Sequence, residues 1–276
     1  MEVGFIGTGS MGSILIDSFI VAKAIPPVKI TIYNRTVEKA ERITSHYPEI
    51  KIASSMEELI GRCETIFICV RPTDYKSVVD QLSQYAREEQ TIISITSSVF
   101  IKDLENRVPS KIIKMIPSIT NAVLSGAILI MYGNRIERSE REFWFRLFSA
   151  IGQPIEIDEK FVRISSDITS CGPAFISYLL GNFIDSAVKV SGISRESATF
   201  LVTEMIKGFS KLISTGSFTL ESLRECVCVP GGITGVGLSV LEDELGPLFE
   251  HLFQKTQEKF EQDVEECKEW NSNPQK

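Results

Sequence analysis

A chain of 276 residues, 43% apolar and 24% charged, is long enough for one large or two medium domains with a sizeable core. A formal charge of −7, with no Lys/Arg cluster to set against it, argues against a nucleic-acid binder that works by bulk positive charge. No apolar run approaches a membrane span, and glycines occupy the place where a secretion signal would be apolar, so a cytoplasmic protein is expected.

The first element is an apolar strand, Val3–Ile6, that runs straight into Gly7-Thr8-Gly9-Ser10-Met11-Gly12 and then into helical spacing over Ile14–Ile20. In a G-x-G-x-x-G turn of this kind Gly7 permits the tight bend, Gly9 lets a pyrophosphate approach the backbone, and Gly12 lets the helix pack close to the strand. The N–H groups of the first helical turn then face the phosphates. An ordinary Gly-rich β–α turn is the plainer alternative.

Val28–Tyr33 is β-branched and apolar, and Thr36–His46 is charged with helical period. Between them stands Tyr33-Asn34-Arg35-Thr36, with no acid before Glu38. A carboxylate here would accept from ribose hydroxyls and repel a 2′-phosphate; Asn34, Arg35 and Thr36 suit a 2′-phosphate instead, so NADP is favoured over NAD. Asn34 and Thr36 also suit the capping of the next helix.

Thr65–Val70 reads as a buried parallel strand, and its continuation Val70-Arg71-Pro72 is expected to line the cofactor cleft, beyond the strand's carboxyl end. Asp74–Arg87 is an amphipathic helix. Thr91–Thr96 and Ile112–Ile116 are further strands, and both end in short hydroxyl side chains, Thr96 after the first and Ser118 after the second. These suit a polar cleft or simple turn chemistry. Gly126–Tyr132 adds a strand, Arg138–Ile151 a helix, and Pro154–Ile157 closes the sheet. The alternation predicts an α/β fold: a Rossmann-type, doubly wound parallel sheet over residues 1–159.

From about Lys160 strand character fades, and residues 160–276 are expected to form an all-helical domain. Its helices are Pro173–Val190, Arg195–Ser214, Thr219–Cys226 and Leu238–Lys268, the last interrupted near Gly246-Pro247. Gly172-Pro173 suits a helix entry. Ala174–Val190 is apolar on most of its surface, which calls for burial, and in a domain this small for a second subunit: a homodimer or larger. Val229–Gly235 is a Gly-rich loop ahead of a helix, free of acids, and therefore either a seat for a carboxylate or a flexible connection. Six cysteines without a C-x-x-C pair and only two histidines, His46 and His251, predict no metal site and no disulfide framework.

The segments GFIGTGSMG, NRT, VRP, Ile-Pro-Ser-Ile-Thr, SCGPAF and PGGITG occur in the order seen in pyrroline-5-carboxylate reductases, and the chain resembles that family over nearly its whole length. It is also similar to the family's late-competence branch. The resemblance implies NAD(P)H-dependent reduction of the cyclic imine 1-pyrroline-5-carboxylate to L-proline. It implies that Gly7, Thr8, Gly9, Ser10, Met11 and Gly12 hold the pyrophosphate, Asn34, Arg35 and Thr36 the adenosine side, and Val70, Arg71, Pro72 and Thr96 the nicotinamide side. It further implies that Gly231, Gly232, Ile233 and Thr234 take the substrate carboxylate, with Gly172 and Ser118 near the ring, and that Thr234 hydrogen-bonds the ring nitrogen as the catalytic residue. Family members interlock through their helical domains, which implies a homo-oligomer acting on a small imine carboxylate, with no nucleic-acid or membrane partner.

The departures from the family pattern cluster at the site. Pro117-Ser118-Ile119-Thr120 stands for Pro-Asn-Thr-Pro, Ser170-Cys171-Gly172-Pro173 for Gly-Ser-Gly-Pro, and Val229 removes a hydroxyl ahead of Pro230-Gly231-Gly232. One charged hydrogen bond is worth roughly 1–3 kcal/mol, about tenfold or more in affinity. The alternative is therefore a catalytically weakened member that binds NADP and serves a competence-associated or regulatory role. A β-hydroxyacid dehydrogenase ranks last, because Lys189 is the only lysine of the first long helix and lies near its far end.

Overall fold

The structure is a computed structural model that describes residues 1–271; residues 272–276 of the expected second domain lie outside the described residues. In chain order it has β1 (Val3–Ile6), α1 (Ser10–Val21), β2 (Ile30–Tyr33), α2 (Val37–Thr44), β3 (Lys51–Ile52), α3 (Met56–Arg62), β4 (Thr65–Ile68), α4 (Tyr75–Tyr85) and β5 (Thr91–Ser94). Then follow α5 (Ile101–Glu105), β6 (Lys111–Ile116), β7 (Ala127–Tyr132), α6 (Arg138–Ser149), β8 (Gln153–Glu156) and α7 (Val162–Ser166). A π-helical turn, Asp167–Cys171, leads into α8 (Gly172–Ser191), α9 (Arg195–Ser214), α10 (Leu220–Val227), α11 (Ile233–Leu245) and α12 (Leu248–Asn271).

The chain clusters into two compact units, one of Met1–Pro173 with the chain from Lys255 onward, the other of Ala174–Gln254. The first unit holds an eight-stranded sheet in the order β3-β2-β1-β4-β5-β6-β7-β8. The expected doubly wound sheet is present, and it is parallel except at one step, where β6 pairs antiparallel with β7. The reason is the connection: residues between β6 and β7 form only a short 3₁₀ segment, Ile119–Val123, and a parallel return needs a crossover of a dozen residues or more. α6 supplies such a crossover, so β8 is parallel to β7.

Each face of the sheet carries its own core. Phe5 and Phe67 stack at 4.7 Å between ring centroids, and α1, α2 and α6 cover them with Leu15, Phe19, Ile43 and Phe148. The opposite face is covered by α3, α4 and α5, with Leu59, Val79 and Leu104 fully buried. The second half of α12 joins that face: Phe260, Val264 and Cys267, on one helical stripe, are buried in the same core. The last helix thus closes the sheet unit, although its pattern on the page is that of a second, helical domain.

Under α12 lies a buried cation. Lys114 on β6 is fully buried, its ammonium 2.5 Å from Glu159 Oε1, 3.1 Å from the Ser97 carbonyl and 5.0 Å from the centre of the Phe100 ring. Burial pulls its pKa below the usual 10.5, and Glu159 opposes the shift.

The second unit buries little of its own. Ile184, Ala198 and Val202 form its small core, while Tyr178 (73% exposed), Phe183, Val190 (87%) and Phe200 stand open on α8 and α9. No helix among the described residues is long and apolar enough to cross a membrane.

Replacing Glu159 by Gln strands the buried ammonium. The expected loss is about 3 kcal/mol in urea unfolding at pH 7, as for a broken buried pair. Burial holds the folded-state pKa of Lys114 below 10.5, and losing Glu159, which opposes that shift, lowers it further. Between the variant's folded-state pKa and the parent's, the folded variant has released a proton that its unfolded chain keeps, while the folded parent has not, so the variant gains stability with pH and the deficit shrinks. Unfolding curves between pH 7 and pH 10 would register this; a pH-independent deficit contradicts the account.

Candidate functional site

The cleft is built on the turn between β1 and α1. Gly7 has φ +98°, a left-handed conformation, and its N–H donates to the Tyr33 carbonyl at 2.8 Å. A Cβ on Gly12 would lie 2.3 Å from the Gly7 carbonyl oxygen, so α1 can seat against the strand end only because residue 12 has no side chain. A Cβ on Gly9 would meet nothing within 4 Å. Crowding inside the protein therefore does not account for Gly9, and the space over it is open. Gly9 caps α1 without a side-chain bond, and no acid lies in the first turn, which leaves that turn's N–H groups for an anion.

Asn34 braces this turn from β2. Its Oδ1 accepts from the Thr8 N–H at 3.0 Å, and its Nδ2 donates to the Thr36 carbonyl at 2.8 Å. Thr36 stands at the N-cap of α2 but makes no side-chain cap bond. Asn34 thus fixes the loop backbone and leaves the exposed side chains beside it to meet a ligand. Arg35, 78% exposed, reaches Asp74 Oδ1 at 3.1 Å, and Arg71 reaches Asp74 Oδ2 at 3.3 Å. One carboxylate is shared by two guanidinium groups, so the rim stays net positive.

A cavity of about 780 Å³ runs over Gly7 and Gly9 between Arg35 and Thr36 on one side and Val70 and Arg71 on the other. Lys39, in the first turns of α2, also lines it. Sequence reasoning missed this residue; the signal was a lysine three positions after Thr36, one helical turn on and hence on the same side.

A second chamber of about 380 Å³ shares Gly9, Ser10, Cys69 and Val70 with the first, and also takes in Met11. It extends past Thr96, Ser97 and Pro117 to Arg163, Ser170 and Cys171. Both chambers lie beyond the carboxyl ends of parallel strands. Pro72 opens a 3₁₀ turn, Pro72–Asp74, that ends the β4 segment. Thr96 Oγ1 donates to the Val70 carbonyl at 3.4 Å, tying the ends of β4 and β5. Burial pushes the Cys63 thiol up to about 11 and raises that of Cys69 as well, so neither is poised as a thiolate.

Ser118 is fully buried. Its hydroxyl donates to the Thr169 carbonyl at 2.8 Å, and Ser170 Oγ donates to the Pro117 carbonyl at 2.8 Å. These bonds stitch the end of β6 to the π-helical turn, so Ser118 holds a wall rather than lining the chamber. Gly172 follows that turn at the head of α8.

Gly231 to Thr234 belong to the second unit. Gly231 has φ +72°, Gly232 is the N-cap of α11, and the Gly232 N–H donates to the Val229 carbonyl at 2.9 Å. α11 starts without an acid and without a side-chain cap, and Ile233 (93% exposed) and Thr234 stand open. His46 lies on the surface after α2, its Nδ1 2.9 Å from the Arg42 carbonyl. Among the described residues no cluster of His, Cys, Asp and Glu could hold a metal ion, and the cysteines are free thiols.

Comparison with known proteins follows the same division. A family model described as "NADP oxidoreductase coenzyme F420-dependent" matches residues 2–98, and one described as "Pyrroline-5-carboxylate reductase dimerisation" matches residues 159–263. The chain is 43% identical to "ComE operon protein 4" of Bacillus subtilis (strain 168), covering 97% of this chain and 98% of that protein. It is 28% identical to "Pyrroline-5-carboxylate reductase 3" of the same organism, covering 94% and 96%. Among solved structures it is similar to the pyrroline carboxylate reductase of Plasmodium falciparum with NADP bound, at 27% identity, a TM-score of 0.81 and 98% of each chain.

The two glycines should separate packing from binding. Gly12→Ala is expected to cost about 1–3 kcal/mol of stability through the forced contact with the Gly7 carbonyl. Gly9→Val should leave the stability of the free protein within about 0.5 kcal/mol of the parent. It should abolish the rise in melting temperature that a dinucleotide gives the parent. Equal destabilisation by both changes would contradict the assignment.

Proposed function

The chain belongs to the pyrroline-5-carboxylate reductase family, and from that premise we propose that it binds NADPH and reduces 1-pyrroline-5-carboxylate, or a related cyclic imine carboxylate, to the corresponding amino acid. The observation that carries the reading is the glycine turn itself: open space at Gly9, the unpaired first turn of α1, and a cationic rim to one cleft, with Arg35 and Lys39 on the adenosine side and Arg71 facing them. That donor set fits a dinucleotide with a 2′-phosphate, which Arg35, Thr36 and Lys39 receive while Asn34 keeps the loop in shape.

The cofactor supplies the hydride. Gly7 to Gly12 take its pyrophosphate, and Val70, Arg71, Pro72 and Thr96 shape the wall on the nicotinamide side. The Gly231–Thr234 turn takes the substrate carboxylate on backbone N–H groups, and Thr234 orients the ring nitrogen or passes it a proton from water. A protonated imine is already activated, so positioning and water exclusion carry most of the barrier reduction. The open apolar faces of α8 and α9 are covered by a second copy in a cytoplasmic homo-oligomer.

A second reading has its own support. Identity is higher to a protein named for the comE operon than to the named reductases, and Val229 removes a hydroxyl from the carboxylate turn. In that reading the protein binds NADP without appreciable turnover and acts through partners.

Purified protein given the imine with NADPH or NADH, followed by cofactor absorbance, separates the two. The first reading expects turnover, with Thr234→Val lowering kcat/KM about 10- to 100-fold and Val229→Ser lowering KM. Dinucleotide binding with no turnover on any cyclic imine favours the second. Lys39→Ala should weaken NADPH about tenfold and leave NADH unchanged. Light scattering should find a dimer or larger, and Phe200→Asp should shift it towards monomer.

A further inference from the structure

The inner wall of the smaller chamber carries a charge network that the reduction reading leaves unused. Arg163 on α7 is 17% exposed, and Asp167, one turn later in the π-helical segment, is 1% exposed. Arg163 Nη2 donates to Asp167 Oδ1 at 2.6 Å and Nε donates to Oδ2 at 3.2 Å. Oδ2 also accepts from Thr256 Oγ1 at 2.7 Å, from α12, and Nη2 lies 3.4 Å from Cys171 Sγ. The guanidinium carbon is 5.9 Å from the centre of the Phe260 ring. The fork is therefore held along its Nε–Nη2 edge and supported beside its plane.

Its third nitrogen is not spent. Nη1 makes no hydrogen bond to any described residue, and Arg163 lines the chamber, whose wall includes no carboxylate. A pair that served only to close the fold would gain nothing from leaving two N–H donors at a cavity wall. A guanidinium fixed on one edge and free on the other is preorganised for one planar oxygen acceptor.

We infer that Arg163 is a specificity-determining residue whose Nη1 takes an oxygen of a planar carboxyl-derived group in the smaller chamber. This rests on the NADP reading of the cleft. Two groups share that chemistry there: the carboxamide of the nicotinamide and the carboxylate of the imine substrate. Asp167 and Thr256 act as positioning residues, because they set the angle of the fork and do not line the chamber.

The test is calorimetry on the intact chain with three probes: NADPH, adenosine 2′,5′-bisphosphate, and L-proline added to the NADP⁺ complex. Arg163→Gln alone leaves a buried carboxylate unpaired, so the double variant Arg163→Gln/Asp167→Asn is made beside it and its folding checked by thermal melt. The expected result is a loss of about tenfold or more in one planar-group probe, with the bisphosphate unchanged. Weaker NADPH assigns the contact to the carboxamide; unchanged NADPH with weaker proline assigns it to the carboxylate. Parent-like binding of all three probes overturns the inference and leaves the NADP reading standing. Equal weakening of the bisphosphate overturns it too, since that marks a structural role. A parent protein that binds neither NADPH nor the bisphosphate overturns the NADP reading, and this inference with it.

Discussion

The constraint on which the molecule depends is a contact that no side chain may enter. With a Cβ at residue 12 only 2.3 Å from the Gly7 carbonyl, α1 can start where it does only from glycine. That start decides where its unpaired N–H groups point, at the end where a helix favours negative charge. The brace from Asn34 serves the same end from the neighbouring strand, since it spends its amide on Thr8 and Thr36 and holds the loop to the turn before α2. Strand order does the rest: β1 lies between β2 and β4, so the glycine turn, Arg35 and Arg71 open on one edge.

The opposite end of the cleft is held by different means. Here the chain leaves the sheet through β8 and α7, and a regular helix gives way to a π turn at Asp167–Cys171. Such turns free backbone groups that a regular helix would consume, and they recur at functional sites. In this chain the turn is fixed from three sides. Ser118 donates to its Thr169 carbonyl while its own Ser170 donates to the Pro117 carbonyl at the end of β6, Arg163 grips it through Asp167, and Thr256 reaches Asp167 from the last helix. The last helix is thus part of the cleft's support, which explains why its stripe of Phe260, Val264 and Cys267 is apolar on an otherwise charged helix.

Most of the sheet was legible in the sequence because buried parallel strands read as unbroken apolar runs, and Thr65–Ile68 and Thr91–Ser94 are such runs. β3 was not legible: it is two residues long and exposed, so neither length nor burial marks it. α3 and α5 are too short for a helical period to show. At the site, Gly7 and Gly12 were legible because each is required by geometry that only glycine permits. The role of Ser118 was not, because a hydroxyl at a strand end suits a cleft and a backbone clamp equally well until the partner carbonyl is known. Arg163 and Asp167 carried no signal of their own; an i, i+4 pair of opposite charge reads as a solvated helix face, and only burial distinguishes it.

The titratable groups around the cleft restrict what chemistry it can host. The phenol of Tyr75 is fully buried against Ser94 with its pKa raised, and burial raises the Cys69 thiol. No histidine lines either chamber, and the cations on their walls are arginines and a lysine. The reduction proposed above asks these walls mainly for position, a held cofactor and donors that orient the substrate, and the glycine turn, the cationic rim and the clamped π turn suit those demands.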